Sequence, residues 1–196
     1  MSEIKVIVPE SWEDVSIKQY VDLAKIPKGL PPLDYVLEIL HIFRGVPKEL
    51  LYQTDEESLN RMAEPLTFLQ NNPSVETVAT EFNIKGTKYY YNRQFDKLSV
   101  GEMISLEMLV EKDKLTDTSS IPYLLAIILR EKGQDEELQV FNADNIYDRI
   151  TLFEQHISIG EAMGLVFFFK NGGRDYITIL EDSLKELRII AKEMKL

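Results

Sequence analysis

Cysteine is absent from this chain of 196 residues, and histidine occurs only twice, as His41 and His156. The lack of cysteine excludes disulfide bonds, thiol catalysis and every metal site that needs thiolate ligands. The two histidines lie far apart in the sequence, and neither belongs to an HExxH zinc motif. The chain therefore has few of the side chains that bind metals or act as nucleophiles, and we predict neither a metal site nor a bound cofactor.

Glycine-rich and catalytic motifs are missing as well. The sequence contains no GxxxxGK[ST], GxGxxG or GxSxG pattern and no calcium-loop pattern. Carboxylates are plentiful, and Glu107 with Glu111 share a helix spacing, but with 33 acidic residues such pairs arise by chance. We expect them to be solvated, and therefore expect a protein that is not an enzyme. A small acidic enzyme with paired carboxylates remains an alternative.

Basic residues and long apolar runs are also scarce. The chain has 22 lysines and arginines against 33 acidic residues, a net charge of −11. That charge disfavours a broad surface for nucleic acid or anionic lipid. The longest apolar runs, 123–129 and 165–169, are too short to span a membrane. The N-terminus has no secretory signal pattern, so we expect the protein to fold in a cytoplasm.

Apolar residues make up 44% of the chain and charged residues 28%, which is typical of a soluble globular protein. The length suits a single domain over residues 1–196. Its first part, residues 10–72, has helical periodicity, with one helix from Ser16 to about Lys25 and another from Leu33 to Gly45. Further signals predict a short helix at 47–51 and a capping box of Thr54 and Glu57 before a helix that Pro65 interrupts.

The middle and last parts differ in character. Residues 78–95 are β-prone, and Lys85 with Gly86 suit the turn of a hairpin. Residues 99–196 read as helical, with segments near 99–112, 121–132, 143–156, 158–171 and 174–195. Gly133 and the pair 172–173 stand where helix C-caps are expected, and 121–132 is apolar enough for a central buried helix. We predict an α+β fold, mainly helical, with one small β-hairpin inserted between two helical groups.

A short pattern recurs at three places, beginning at Ser16, Ser99 and Ser158. In each case a glutamine or glutamate follows three residues after the serine, which is the signature of a capping box at a helix N-terminus. The intervals between the copies are unequal, so they do not indicate a solenoid. We interpret them as three similar helix starts, with equivalent partner-docking helices as the alternative.

Several residues are candidates for contacts between chains. The aromatic run 89–91 suits a strand whose side chains alternate between a core and a rim, and the run 167–169 is too wide for one helix stripe. Residues 174–195 carry an apolar heptad seam that packs either on its own domain or on a neighbour; its members are Ile177, Leu180, Leu184, Leu187, Ala191 and Met194. The predicted interface residues are Tyr89, Tyr90, Tyr91, Arg93, Phe168, Arg174, Leu184 and Leu187.

Several short motifs carry a resemblance to a known group of proteins. They are the opening WEDVSIKQY at 12–20, the hairpin FNIKGTKY at 82–89, LSVGEMISL at 98–106 and the helix start at Ser158. Together they resemble small structural or tail-assembly proteins of tailed phages that infect Bacteroidetes, including the crAss-like group. The resemblance runs in order over most of the chain and brings no catalytic residues with it.

The resemblance implies a non-enzymatic virion protein, a ring or connector subunit of the neck or tail that is made in the host bacterial cytoplasm. Its expected partners are portal, tail or neck proteins and copies of itself, with no sequence recognition of nucleic acid and no membrane. Rings of this kind close through head-to-tail contacts between copies. The alternative within the same group is a tail assembly chaperone that is absent from the mature particle.

Overall fold

The structure, a computed structural model, describes residues 8–74, 78–91, 98–111, 117–133 and 137–168. Within these ranges the chain is mainly helical and contains a small three-stranded antiparallel sheet. The predicted α+β class is therefore confirmed. None of the helices in the described part is both long and apolar enough to cross a bilayer.

The first helical group follows the sequence signals closely. Helix α1 spans Ile17–Ala24, α2 spans Pro32–Arg44 and α3 spans Lys48–Leu51. Gly45 ends α2 with a left-handed backbone at φ 62°, the conformation that a glycine C-cap adopts without steric cost. The amphipathic spacing of α2 buries Leu37, Ile39, Leu40 and Phe43.

Helix α4 spans Glu56–Ala63 and begins one residue later than the predicted capping box requires. The carboxylate of Asp55 accepts from the backbone N–H of Ser58 at 2.8 Å, whereas the hydroxyl of Thr54 donates to the carbonyl of Leu50. The predicted cap at Thr54 is wrong because that hydroxyl is used by the end of α3. Pro65 does interrupt the helix as expected, and a 3-10 segment follows over Glu64–Gln70.

The predicted hairpin is present. Strand β1 spans Glu81–Ile84 and pairs antiparallel with β2, Thr87–Tyr91. The two turn residues, Lys85 and Gly86, both have positive φ, 51° and 85°. Two positive values in a two-residue turn match the right-handed twist of the strands, which fixes the register of the hairpin.

The predicted helix at 121–132 is wrong in its last third. Helix α6 spans Ile121–Ile128, and the chain then extends into strand β3, Leu129–Glu131, which pairs with β2. An apolar run does not distinguish a buried helix from a buried strand, and the free edge of β2 needs hydrogen-bond partners. Gly133 is consequently not a helix C-cap; its N–H donates to the carbonyl of Glu137. The expectation of a central element holds, since seven of the eight residues of α6 are buried.

Three further helices complete the described part. Helix α5 spans Val100–Glu111, α7 spans Ile146–His156, and α8 begins at residue 159 and is described to 168. Helices α6 and α7 pack against each other, and the ring of Phe153 on α7 meets that of Tyr89 on β2 at 5.0 Å. The sheet thus lies over a helical core. The predicted helix at 174–195 lies outside the described residues.

The three capping boxes of the recurring pattern all form. Side chain and backbone exchange hydrogen bonds at Ser16 with Gln19, at Ser99 with Glu102 and at Ser158 with Glu161. The starts of α1 and α8 also meet each other as an antiparallel bridge between Ser16 and Ser158.

The bridge consists of two backbone hydrogen bonds. The N–H of Ile17 donates to the carbonyl of Ile157 at 3.0 Å, and that of Ile159 donates to Val15 at 2.7 Å. These four apolar residues are at most 1% exposed. The bridge therefore joins the first helical group to the last one inside the core.

Candidate functional site

The most strongly built polar site in the described residues is an ion pair between α5 and β3. Arg130 Nη2 lies 2.8 Å from Glu102 Oε1, and the two side chains are only 2% and 11% exposed. The other carboxylate oxygen of Glu102 accepts from the backbone N–H and the hydroxyl of Ser99, both at 2.8 Å. Glu102 therefore serves both as the capping-box acid of α5 and as the partner of a buried arginine.

The guanidinium of Arg130 is held on several sides. Its Nη1 donates to the carbonyls of Leu129 at 2.7 Å and Ala126 at 3.3 Å, and the ring of Phe141 lies 4.7 Å from its central carbon. Burial lowers the pKa of Arg130 to about 10, although the charge of Glu102 acts in the opposite direction. At neutral pH the group remains positively charged.

A second buried arginine lies near the first. Arg149 on α7 is 9% exposed, and its charge contributes to the lowered pKa of Arg130. Burial raises the pKa of Tyr89 on β2, and the charge of Glu131 and a hydrogen bond to it raise that pKa further. Neither Arg130 Nε nor Arg149 Nη1 has a hydrogen-bond partner in the described part of the chain.

The role that this cluster can perform is to hold secondary-structure elements in position. Both oxygens of Glu102 are occupied by donors, and the guanidinium does not titrate near neutral pH, so the pair offers no proton to a substrate. Because one charge-assisted hydrogen bond joins Glu102 to Arg130 and each side chain is also hydrogen-bonded to the backbone, the pair is held in a defined geometry. It therefore fixes the first turn of α5 against β3.

Gly101 provides a test of this packing. A Cβ on Gly101 would lie 2.7 Å from Cδ1 of Phe141, whereas the nearest atom to a Cβ on Gly160 of α8 would be Oε1 of Glu13, at 2.9 Å. Alanine is favoured over glycine by at most about 1 kcal/mol in a helix, and each of these glycines is the second residue of its helix. Because the Glu13 side chain can move and the Phe141 ring is held over Arg130, we expect Gly160→Ala to stabilise the protein and Gly101→Ala to destabilise it. Urea denaturation of both variants measures the difference, and equal shifts would contradict the proposed packing of Phe141.

A shallow depression of about 400 Å³ lies between α1 and α2. Its lining includes Asp22, Lys25, Glu38 and His41. Burial raises the pKa of Asp22, but hydrogen bonds from Lys25 and Lys18 outweigh it and the net pKa is lowered. His41 Nδ1 lies 2.7 Å from the carbonyl of Val46. Asp22 is paired with Lys25, Glu38 with Lys48 on α3 and His41 with the backbone, which suits a surface depression better than a reaction centre.

The predicted contact residues that the structure describes differ in their exposure. Tyr89 and Tyr91 are 5% and 8% exposed, and their rings pack against Phe153 and Phe168, so little of either side chain is left for a contact between chains. Tyr90 points to the other face of the sheet, where Lys132 Nζ lies 4.6 Å from its ring. This alternation is the one predicted for a strand. Arg93, Arg174, Leu184 and Leu187 lie outside the described residues.

Two exposed apolar surfaces were not predicted. The first, the α2–α3 patch, consists of Leu33, Tyr35, Leu50 and Tyr52, which are between 47% and 63% exposed. The hydroxyl of Tyr52 donates to Asp34 at 3.2 Å, which holds α3 beside the start of α2. The second, the α5 stripe, consists of Val100, Ile104 and Met108, which are 71%, 50% and 49% exposed. A spacing of four residues places all three on one side of the helix.

Comparisons with known proteins give no relative. No family model, no curated protein and no solved structure matches the chain. In the described residues, no group of three or more histidine, cysteine or acidic side chains is arranged to hold a metal ion.

Sequence reasoning found Glu102 as a capping residue but missed its partner. The available signal was Arg130 itself, a single charge directly after the apolar run that ends at Leu129. A charge in such a position is rarely buried without a partner. The sequence does not show which of 33 acidic residues that partner is.

Proposed function

We propose that this protein is a non-enzymatic structural subunit of a bacteriophage particle, a ring or connector component of the neck or tail. In this role it binds copies of itself and the adjoining portal, tail or neck proteins. The motif resemblance at 12–20, 82–89, 98–106 and 158 supports the phage assignment. The structural observation that supports binding to other protein chains is the α2–α3 patch.

The composition of the α2–α3 patch suits a protein interface. Tyrosines have a large apolar body and a polar tip, and they are enriched at interfaces relative to the rest of a protein surface. Here two tyrosines and two leucines are about half exposed on neighbouring helices. Glu38 and Lys48, on the same two helices, form an ion pair. An apolar centre with a polar rim is the usual anatomy of a protein–protein contact.

A ring subunit also needs a rigid frame, because small errors in each contact prevent closure. The backbone bridge at Ser16 and Ser158 joins the first and last helical groups, and the Glu102–Arg130 pair fixes α5 to the sheet. Both contacts are buried in the structure, whereas the side chains of the α2–α3 patch are exposed. The negative net charge is compatible with a component beside passing DNA, since phosphates are repelled.

The test is the mass of the purified protein by light scattering over a range of concentrations, for the wild type and two variants. We expect a closed oligomer for the wild type and a shift toward monomer for Leu50→Arg, which places a charge in the α2–α3 patch. Asn60→Arg on α4 is the matched control, because it adds the same charge at an exposed position outside the patch. It should leave the mass unchanged.

Analysis of purified particles completes the test. Stoichiometric presence of the protein in virions supports the ring assignment. A monomer at every concentration together with absence from particles overturns it. Absence from particles despite synthesis during infection would favour the assembly chaperone instead.

A further inference from the structure

The α5 stripe lies on a helix that is apolar on nearly every side. The inward side contains Leu109 and the paired Glu102, both buried, while Val100, Ile104 and Met108 face outward. A helix with apolar residues all round is typically covered on both sides. Over eight residues the stripe is about 12 Å long, so its shape matches the side of another helix.

The chemistry of the α5 stripe differs from that of the α2–α3 patch. It contains two β-branched aliphatic side chains and one methionine, and it has no aromatic residue with a polar tip. Burying three such side chains removes on the order of 300 Å² from water. One partner in a stable complex of separate chains contributes about 800 Å². A tethered segment needs less area, because its effective concentration is in the millimolar range.

We propose that residues 174–195 of the same chain cover the α5 stripe with their apolar seam. That seam repeats at spacings of three and four from Ile177 to Met194, which suits packing along a second helix. No other stretch outside the described residues has a seam of this length. The proposal does not depend on the proposed function.

The described structure ends beside the sheet that α5 also contacts. The ring of Phe168, the last described residue of α8, lies 6.0 Å from that of Tyr91 on β2. The neighbouring residue Tyr90 pairs with Arg130, which holds Glu102 in the first turn of α5. The end of α8 thus contacts β2, and the start of α5 contacts β3, the strand that pairs with β2. Six residues from Phe168 to Arg174 span up to about 20 Å.

Charge favours residues 174–195 as the segment that covers the α5 stripe, in preference to an arbitrary surface of a second copy of the chain. Helix α5 contains three glutamates and no basic residue. Residues 174–195 contain five basic and five acidic residues and are neutral overall, whereas the whole chain carries −11. The segment therefore approaches α5 with less repulsion than most of the protein surface would meet.

Engineered disulfides in the full chain test the proposal, since the natural sequence has no cysteine to interfere. Ile104→Cys is combined in turn with one of three seam variants, Leu180→Cys, Leu184→Cys or Leu187→Cys. The control combines Ile104→Cys with Glu186→Cys, which lies on the opposite side of the predicted helix. Under mild oxidation we expect at least one seam position to give a disulfide within one chain, in roughly tenfold higher yield than the control. Intact mass and the linked peptides after proteolysis identify the bond.

Two results would overturn the proposal. The first is a seam disulfide that forms between two chains, which would identify a second copy as the occupant. The second is a yield at all three seam positions that does not exceed that of Glu186→Cys. Circular dichroism of each reduced variant establishes that it is folded, and Ile104 is half exposed, so its replacement leaves the core intact.

Discussion

Replacing Glu102 with leucine should lower the free energy of unfolding by about 3–5 kcal/mol, the usual cost of removing one partner of a buried ion pair. The variant removes the carboxylate that neutralises the charge of Arg130, a side chain that is only 2% exposed. It also removes the side chain that accepts from the backbone N–H of Ser99 at the start of α5. Urea or guanidinium denaturation followed by circular dichroism measures the loss.

Two further variants separate charge from packing. The double variant Glu102→Leu with Arg130→Met should recover most of the stability, because a well-packed apolar pair is often as stable as the ion pair that it replaces. Glu102→Gln keeps the shape and the hydrogen-bonding capacity of the side chain and should fall between the wild type and Glu102→Leu. A loss below about 1 kcal/mol for Glu102→Leu would contradict the burial of Arg130.

The second large effect is expected in the apolar core. Phe153 is fully buried on α7, and its ring meets Tyr89 edge to face at 5.0 Å. Phe153→Ala should cost about 3–5 kcal/mol, because the transfer free energy of the ring is lost and a cavity remains between α7 and β2. Thermal or chemical unfolding reports the change.

Phe167→Ala is the matched control for that prediction. The same side chain is removed, but Phe167 is 52% exposed on α8, so little buried area and no closed cavity are involved. We expect a change within about 1 kcal/mol. Equal losses at the two positions would mean that Phe167 is covered in solution, or that the sheet does not close over Phe153.

Local signals predicted the parts of the fold that depend on neighbouring residues. The starts of α1, α5 and α8 were identified because a serine and an acid or amide three residues later satisfy the first backbone N–H groups of a helix. The turn at Lys85 and Gly86 was identified from Gly86, because glycine adopts positive φ without steric cost. Where two capping residues compete, as Thr54 and Asp55 do, the preceding helix decided which one acts.

The site was predicted only in part. Tyr89 and Tyr91 were recognised as alternating strand residues, yet the alternation does not reveal whether their buried face belongs to one chain or to two. The structure places that face on Phe153 and Phe168 of the same chain. The α2–α3 patch was missed because it joins the start of one helix to the end of another, and sequence spacing does not show that they are neighbours.

The sequence by itself determined the class of the fold, most helix boundaries in the described part and the hairpin register, because capping, turn conformation and periodicity are local properties of the chain. Tertiary structure decided the change from helix to strand at Leu129, the pairing of Ser16 with Ser158 and the choice of Glu102 as the partner of Arg130. Each of these satisfies a buried backbone or charged group with a partner distant in sequence. Such a partner is selected by the geometry of the whole core, and no short stretch of residues encodes it.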